Sequence, residues 1–538
     1  MIRIHELKIS ADQQQNLEEA IIKTLRISAK DLLEYQVYKR SVDARKKHQI
    51  MLVYIVDVSV RNENEVLVRN KNKKVIKKPE EPVFTVITGN RPLDCSPVII
   101  GTGPAGLFCG LLLAEKGYRP ILLERGYPVE KRVKDVYQFW NDGSLNPESN
   151  VQFGEGGAGT FSDGKLTTRI NDPRCRYILK RMNAHGAPKE ILYDSKPHIG
   201  TDKLRQLVVN IRESINQMGG SVLYGHCVRG LQIENDQICG IEIDGKDSIE
   251  TSVVVAAMGH SARDLFQSFD DCGVPMVSKA FSIGMRIEHP QDWINQIQYG
   301  RRKSLSSLGA ADYRLSWHHP RGRGAYTFCM CPGGMVVAST SEPGMVVTNG
   351  MSAYGRKGRN ANSALLVSVT PEDFEEEGPL AGIAFQRKWE RKAFVLGGEN
   401  YCAPAQRLED YIGQRPSTHL GEVVPTYRPG VTPADLSNSL PSYANEVLRE
   451  ALIQWNKKMK GFALEDAILT GVETRSSSPV RIMRNEQLES DISGLYPAGE
   501  GCGYAGGIMS AALDGIRVAE AIMEKYCAGR WRDGNYYV

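Results

Sequence analysis

An α/β fold is predicted by three features of this 538-residue chain. A short apolar strand, a glycine-rich turn and a helix succeed one another from Val98 to Lys116, and a second apolar strand at Pro120–Glu124 suits a parallel sheet covered on both faces. Another glycine-marked strand, turn and helix occupies Gly494–Ala521, with the helix expected over Ile508–Lys525. Between them lie mixed strands and loops rich in Gly and Pro. The simplest architecture is a discontinuous Rossmann-like domain, residues 81–275 and 465–538, with an inserted α+β substrate or cap domain, 276–464. A small α+β module, 1–80, precedes them.

In that first module Ile2, Ile4, Leu7 and Ile9 suggest a strand with imperfect alternation, and Leu17, Ala20, Ile21 and Leu25 recur at helical spacing. Ser28 with Asp31 three residues later suggests the cap of a second helix. The β-branched run Gln49–Val60 reads as a buried strand, and the lysine-dense, proline-bearing Arg69–Pro82 as a linker.

Composition bounds the function. A hydrophobic fraction of 41% with 24% charged residues is that of a globular protein with two or three domains. The start of the chain has no apolar signal region, so no secretory signal is expected. The most apolar stretch, Val98–Ala114, is broken by Gly101, Gly103, Pro104 and Gly106, which argues against a membrane span. Eleven scattered cysteines with no C-x-x-C pair point to reduced thiols in a cytoplasmic protein and to no metal site. Of the net charge of +4, the first 80 residues carry an excess of six, with 17 basic against 11 acidic residues. No aromatic-basic signature accompanies that excess, so a solvated surface is expected, and nucleic acid binding is not.

The turn Gly101-Thr102-Gly103-Pro104-Ala105-Gly106 is the point of sharpest chemistry. Gly101 permits the tight turn, Gly103 lets backbone approach a pyrophosphate, and Gly106 allows close packing of helix on strand. The helix N-terminus offers unpaired N–H groups to phosphate. Glu124 ends the next strand 23 residues after Gly101, where an acid accepts hydrogen bonds from ribose hydroxyls. Arg125 and Arg132 follow it and are either phosphate forks or surface arginines.

FAD rather than NAD is indicated far down the chain. The segment from Gly494 through Gly499-Glu500 to Gly506-Gly507-Ile508 resembles the second flavin-contacting motif of the glutathione-reductase-like FAD superfamily. By that resemblance Glu500 binds the ribityl chain, while Gly506, Gly507 and Ile508 present N–H groups near flavin N1 and O2. Val253–Gly259 resembles the strand before the cofactor, with Ala257 and Gly259 in the contact positions, and Val228 joins the same cofactor set.

The stretch Phe153–Leu166 (FGEGGAGTFSDGKL) resembles an uncharacterised bacterial and plastid family of FAD-dependent dehydrogenases, a sister group of the geranylgeranyl-reductase-like flavoproteins. Similar blocks are Ser41–Lys47, Gly259–Asp264, Phe281–Pro290, Phe328–Gly334, Asn349–Ser352, Val472–Ile482 and Gly499–Ile508. The resemblance implies noncovalent FAD and leaves the substrate open. Gly156, Gly157, Ala158 and Gly159 are then a second loop close to the flavin, or else a surface turn. Thr160, Ser162 and Lys165 are candidate donors to flavin or substrate.

Tyr326–Ala338 resembles the strand and turn lining the substrate side of the flavin; Cys329 and Cys331 would share one strand face and are expected to be two buried thiols. Cys502 stands in the glycine loop beside Glu500, within possible approach of the flavin. Arg286, Glu288 and His289 are an anion clamp with a proton donor, or a solvated charged strand. Arg475–Ser478 either line the same cavity or turn the chain, and His260, Ser261 and Arg263, which follow Gly259, are expected near the cofactor.

The expected activity is that of an FAD-dependent oxidoreductase moving a hydride through flavin N5 to or from a small organic substrate. A flavin monooxygenase and an FAD-containing RNA- or protein-binding module are the alternatives. No second complete fingerprint with its ribose acid occurs, so NAD(P)H is expected only as a transient electron donor, with an electron-donor protein as the other source.

Overall fold

The computed structural model describes residues 1–529 apart from 12–15, 48, 71, 83, 169, 245–246 and 301–307. At its centre is a five-stranded, wholly parallel sheet. Its order is Leu495–Pro497, Val254–Ala256, Val98–Ile100, Ile121–Glu124 and Ser221–Tyr224. The edge strand therefore comes from the far end of the sequence, and the domain is discontinuous. The helix Pro104–Glu115 is buried continuously from Ala105 to Ala114. It crosses the helix Ile508–Lys525 so closely that a methyl group on Gly515 would collide with the Ala105 carbonyl. The antiparallel strands Val228–Glu234, Gln237–Ile243 and Asp247–Glu250 form a small sheet, whose Val228, Leu231, Ile238 and Ile241 pack with Val98, Ile100 and Val254.

Phe281–Glu473 forms a larger mixed sheet. Its path runs from Ser316–His318 through Gly324–Ala338, Asn360–Val369, Phe281–Pro290 and Ile468–Glu473 to Ala403–Arg407 and Val431–Pro433; Thr348–Met351 pairs with Gly324–Ala338. Phe281, Ile283, Met285 and Ile287 alternate into a core with Leu365, Val367 and Val369, under the helices Ala381–Leu396 and Ser442–Lys458. The period of two puts Ser282, Gly284, Arg286 and Glu288 on the opposite face. The loop after that sheet binds back to the central domain: Thr201 N–H donates to the Ser352 carbonyl at 3.0 Å, and Ser352 and Arg356 both donate to Asp163. Met276–Ser278 and Val480–Ile482 pair where the chain leaves and re-enters the central domain.

The N-terminal strands run in the order Leu32–Asp43, Met51–Val60, Ile2–Ser10 and Val75–Lys77, all antiparallel, a βαββαβ arrangement with Leu17–Leu25 and Glu63–Arg69 as its helices. A bulge between Ile4 and Leu7 accounts for the imperfect alternation, and Glu6 there is left-handed at φ 52°. Two local expectations are corrected. Ser28 and Asp31 cap only the 3-10 turn Ala29–Asp31, because the β-prone run that follows pairs with Met51–Val60 as a strand. The lysine-dense stretch contains the strand Val75–Lys77, whose Val75 is buried against the sheet while Lys73, Lys74 and Lys77 remain exposed. Arg40 joins this module to the central domain, donating to both Asp194 oxygens at 2.6 and 2.8 Å. Among the described residues no helix is long and apolar enough to cross a membrane.

Candidate functional site

Four glycine-bearing segments meet over the carboxyl ends of the parallel strands, where such sheets place their ligands. Gly101 has φ 100°, and a methyl group there would lie 2.6 Å from the Ala257 carbonyl oxygen, so this crossing tolerates only glycine. Gly103 caps the helix without a side-chain partner, and the space where its Cβ would stand is empty to 4 Å. The second loop lies against the first: Gly156 N–H donates to the Thr102 carbonyl at 3.0 Å, and Gly157 is next to Gly103. Gly159 faces Pro104 and Ile508, which brings together segments some 400 residues apart in the sequence. Gly499 sits over Ala105 and Gly501 over Gly259. Gly506, Gly507 and Gly259 border open space and are exposed. Ala158, Lys165 and Glu500 are half-buried in the same region. Ala257 donates its N–H to Ile100, and Val228 is buried among Ile100, Leu123 and Met258 beneath the site.

The charged residues nearest this cradle differ from expectation. Both Glu124 oxygens are occupied by protein: Oε2 accepts from the Thr102 N–H and hydroxyl at 3.0 and 2.8 Å, and Oε1 from the Gly126 and Gly154 N–H at 3.0 and 2.9 Å. The carboxylate thus ties the first two loops together, whatever else it meets. Arg132 is no phosphate fork. It is fully buried and donates to the carbonyls of Asn150, Val151, Gly154, Glu155 and Gly157, so it shapes the second loop from within. Arg125 is spent on Glu148 and Asp264 and lies over the Phe153 ring at 4.3 Å. Thr160 and Ser162 donate their hydroxyls to the Glu155 and Gly159 carbonyls within their own loop. Lys165 alone keeps its donors, with only a 3.6 Å ion pair to Asp163.

At the far loop, Gly507 N–H donates to Glu500 at 3.2 Å and Gly506 N–H to Ser510 at 3.1 Å, so both amides already have internal acceptors. Burial pushes the Glu500 carboxyl up to about 7, against the opposing pull of the Gly507 N–H and Lys279. Cys502 turns away into the core, its thiol donating to the Ala256 carbonyl, and does not face the cavity.

Two of the remaining charged candidates, Arg286 and Glu288, lie on the polar face of the large sheet. Arg286 is fully buried, so the solvated-strand alternative fails, yet its donors do not reach open space either. They go to Glu473 at 2.6 and 3.1 Å, Asn362 at 2.7 Å, and Asn349 and the Cys329 carbonyl at 3.2 Å. Glu288 accepts from Asn360 and Thr426. His289 points to the other face, against Phe462 and Tyr313, and burial lowers it to about 4, so it is a neutral core residue and no proton donor. Cys329 and Cys331 do not share a face. A bulge puts Cys329 at φ 40° and leaves it exposed while Cys331 is buried. Both are free thiols; Cys329 reaches the surface, yet the polypeptide around it desolvates the thiol and raises it to about 12. Arg475 and Arg263 share Glu390 in a buried cluster with Glu342. Beside them His260 is held down to about 3 by burial and the two guanidinium groups.

Sequence reasoning missed Asp163, which Ser352, Arg356 and Lys165 surround, and Asp514, which accepts from Gly499 N–H at 2.7 Å and pairs with Arg484. An aspartate flanked by Ala511, Ala512 and Leu513 on one side and Gly515 and Ile516 on the other was the available signal for the second.

Residues 280–476 match the family described as "FAD-dependent protein, C-terminal domain-like", and residues 1–59 match "Domain of unknown function (DUF8436)". A protein of Clostridium beijerinckii, described as uncharacterised, is 49% identical over 528 residues, 98% of this chain and 99% of its own length. Among solved structures, glycine oxidase from Bacillus cereus is 11% identical over 79% of this chain and 94% of its own, with a TM-score of 0.33. L-proline dehydrogenase from P. horikoshii is 14% identical over 80% and 94%, with a TM-score of 0.31. Likeness of that degree carries no weight for chemistry. The cofactor of this chain is FAD.

Proposed function

Because the chain belongs to one family with the Clostridium beijerinckii protein and carries the C-terminal domain of FAD-dependent proteins, we propose that it is a reductase or dehydrogenase acting on a small organic molecule. FAD supplies a hydride acceptor or donor at N5 when bound. The observation that carries the reading is the convergence of the Gly101–Gly106, Gly156–Gly159 and Gly499–Ile508 segments around the open space at Gly103, Gly506 and Gly507. Gly103 and the start of the helix at Pro104 would hold the pyrophosphate, with Ala105 and Gly106 packed beneath. Gly157, Ala158 and Gly159 would border the flavin from one side. Glu500 would meet the ribityl chain, and the Gly506, Gly507 and Ile508 amides would exchange their internal acceptors for the flavin edge. Glu124 would reach a ribose only by giving up one of its four protein donors. The sheet face around Arg286 closes the other side and excludes water from the reacting atoms.

The electron source is NAD(P)H binding transiently or a carrier protein. Purified protein should be yellow and release FAD on denaturation. Anaerobic bleaching of that colour by NADPH, NADH or reduced ferredoxin, with reoxidation by substrate and no coupled oxygen uptake, is the expected result. Substrate-coupled oxygen uptake would make it a monooxygenase instead, and salt-sensitive RNA retention without turnover a binding module.

A further inference from the structure

Arginine is a donor only, and that fixes the orientation of both amides around Arg286. Asn349 and Asn362 each turn Oδ1 to the guanidinium, so each Nδ2 is turned away from it. Asn362 Nδ2 is buried without a partner, and among the described residues Asn349 Nδ2 has no hydrogen bond. Asn362 is paired across the sheet with Cys331, and Lys165 lies 3.6 Å from Asp163, which accepts from the hydroxyl of Ser352, three residues after Asn349. The two amides and the ammonium therefore belong to one neighbourhood.

The charges there do not cancel. Glu473 neutralises Arg286, and Asp163 is engaged by Arg356. Burial raises the Cys329, Cys331 and Tyr326 groups, and His198 is lowered, so all four are uncharged at neutral pH. Asp163 is shared between Arg356 and Lys165, the latter at 3.6 Å, which leaves one positive charge in excess beside donors that lack acceptors. A buried polar donor without an acceptor costs about 1–3 kcal/mol, a cost that a bound acceptor would remove.

We propose that Lys165, Asn349 and Asn362 form a subsite for a carboxylate on the substrate, with Arg286 as the positioning residue that aims the two amides. The inference rests on the flavoenzyme reading and narrows its substrate to a small organic acid. In a carboxylate complex Lys165 supplies the charge and the amides supply direction.

The test uses the flavin-loaded protein and the visible flavin spectrum. Acetate, benzoate, succinate and lactate are titrated alongside acetamide and benzamide. Saturable perturbation by at least one acid, with none by the amides, is expected. Lys165→Met should weaken it at least about tenfold, the loss of roughly one charged hydrogen bond, and Lys165→Arg should restore part. Asn349→Asp, which places a negative charge where a donor stood, should weaken it further. A yellow protein whose spectrum ignores every acid, responds equally to the amides or keeps its affinity in Lys165→Met overturns the subsite alone. A colourless protein overturns the flavoenzyme reading and the subsite with it.

Discussion

The two walls of the proposed site are built from different materials. The wall over the parallel sheet is backbone: glycine turns, amide N–H groups and the ends of two helices, with its charged side chains turned inward to tie loops together. The wall on the large sheet is side chain: Arg286, Asn349, Asn362 and Cys329 arrayed over a buried ion pair. A backbone wall recognises what every dinucleotide shares, and one added Cβ ruins it. A side-chain wall recognises one substrate, and its failure is electrostatic.

That difference sets the size of the expected effects. Replacing Arg286 by Met leaves Glu473 buried without its cation, and removing one partner of such a pair costs about 3–5 kcal/mol. The measured unfolding free energy should fall by that order. The double change Arg286→Met with Glu473→Leu should recover most of it, and failure of the recovery would mean that packing, rather than charge, holds this wall.

Gly103→Val acts on the other wall. Its φ of −68° suits any residue, and no neighbour meets the new Cβ, so the fold should survive. FAD retention should drop at least about tenfold, equivalent to 1.4 kcal/mol, measured as flavin per folded protein after gel filtration. A variant that keeps full occupancy would show that the phosphates lie elsewhere.

Glu500 links pH to the backbone wall. Its carboxyl sits at about 7 in the fold against 4.5 unperturbed, so the folded state holds the proton more tightly than the unfolded chain. The contribution is fully present below about pH 4.5 and is lost as pH rises through 7. Melting temperature scanned from pH 5 to 8 should therefore decline less in Glu500→Gln than in the wild type. Identical slopes would place the charge elsewhere.

The smallest effect is expected at the thiols. Cys329 and Cys331 lie on opposite sides of a bulge and burial raises both, so neither is a thiolate at neutral pH. Reductive titration should take up two electrons per flavin in the wild type and in the double Cys→Ser variant alike. Four electrons, lost in the variant, would turn the side-chain wall into a redox partner.

The sequence by itself determined the backbone wall. The turn at Gly101–Gly106, the strand to Glu124 and the helix from Ile508 are each encoded within a short stretch of chain, because backbone geometry depends on local φ and on the presence or absence of a Cβ. Burial of Arg132, the closure of Glu124 on four protein donors and the bulge at Cys329 were decided by tertiary structure. Arg132 reads like any surface arginine until the loop 18–25 residues on folds its carbonyls around it. Arg286 meets Glu473 across 187 residues, and a hydrogen bond over such a separation leaves no periodicity or spacing in the chain. Which donors remain free, and hence what the side-chain wall can bind, is a remainder left after every nearer acceptor has been taken, and only the folded protein does that subtraction.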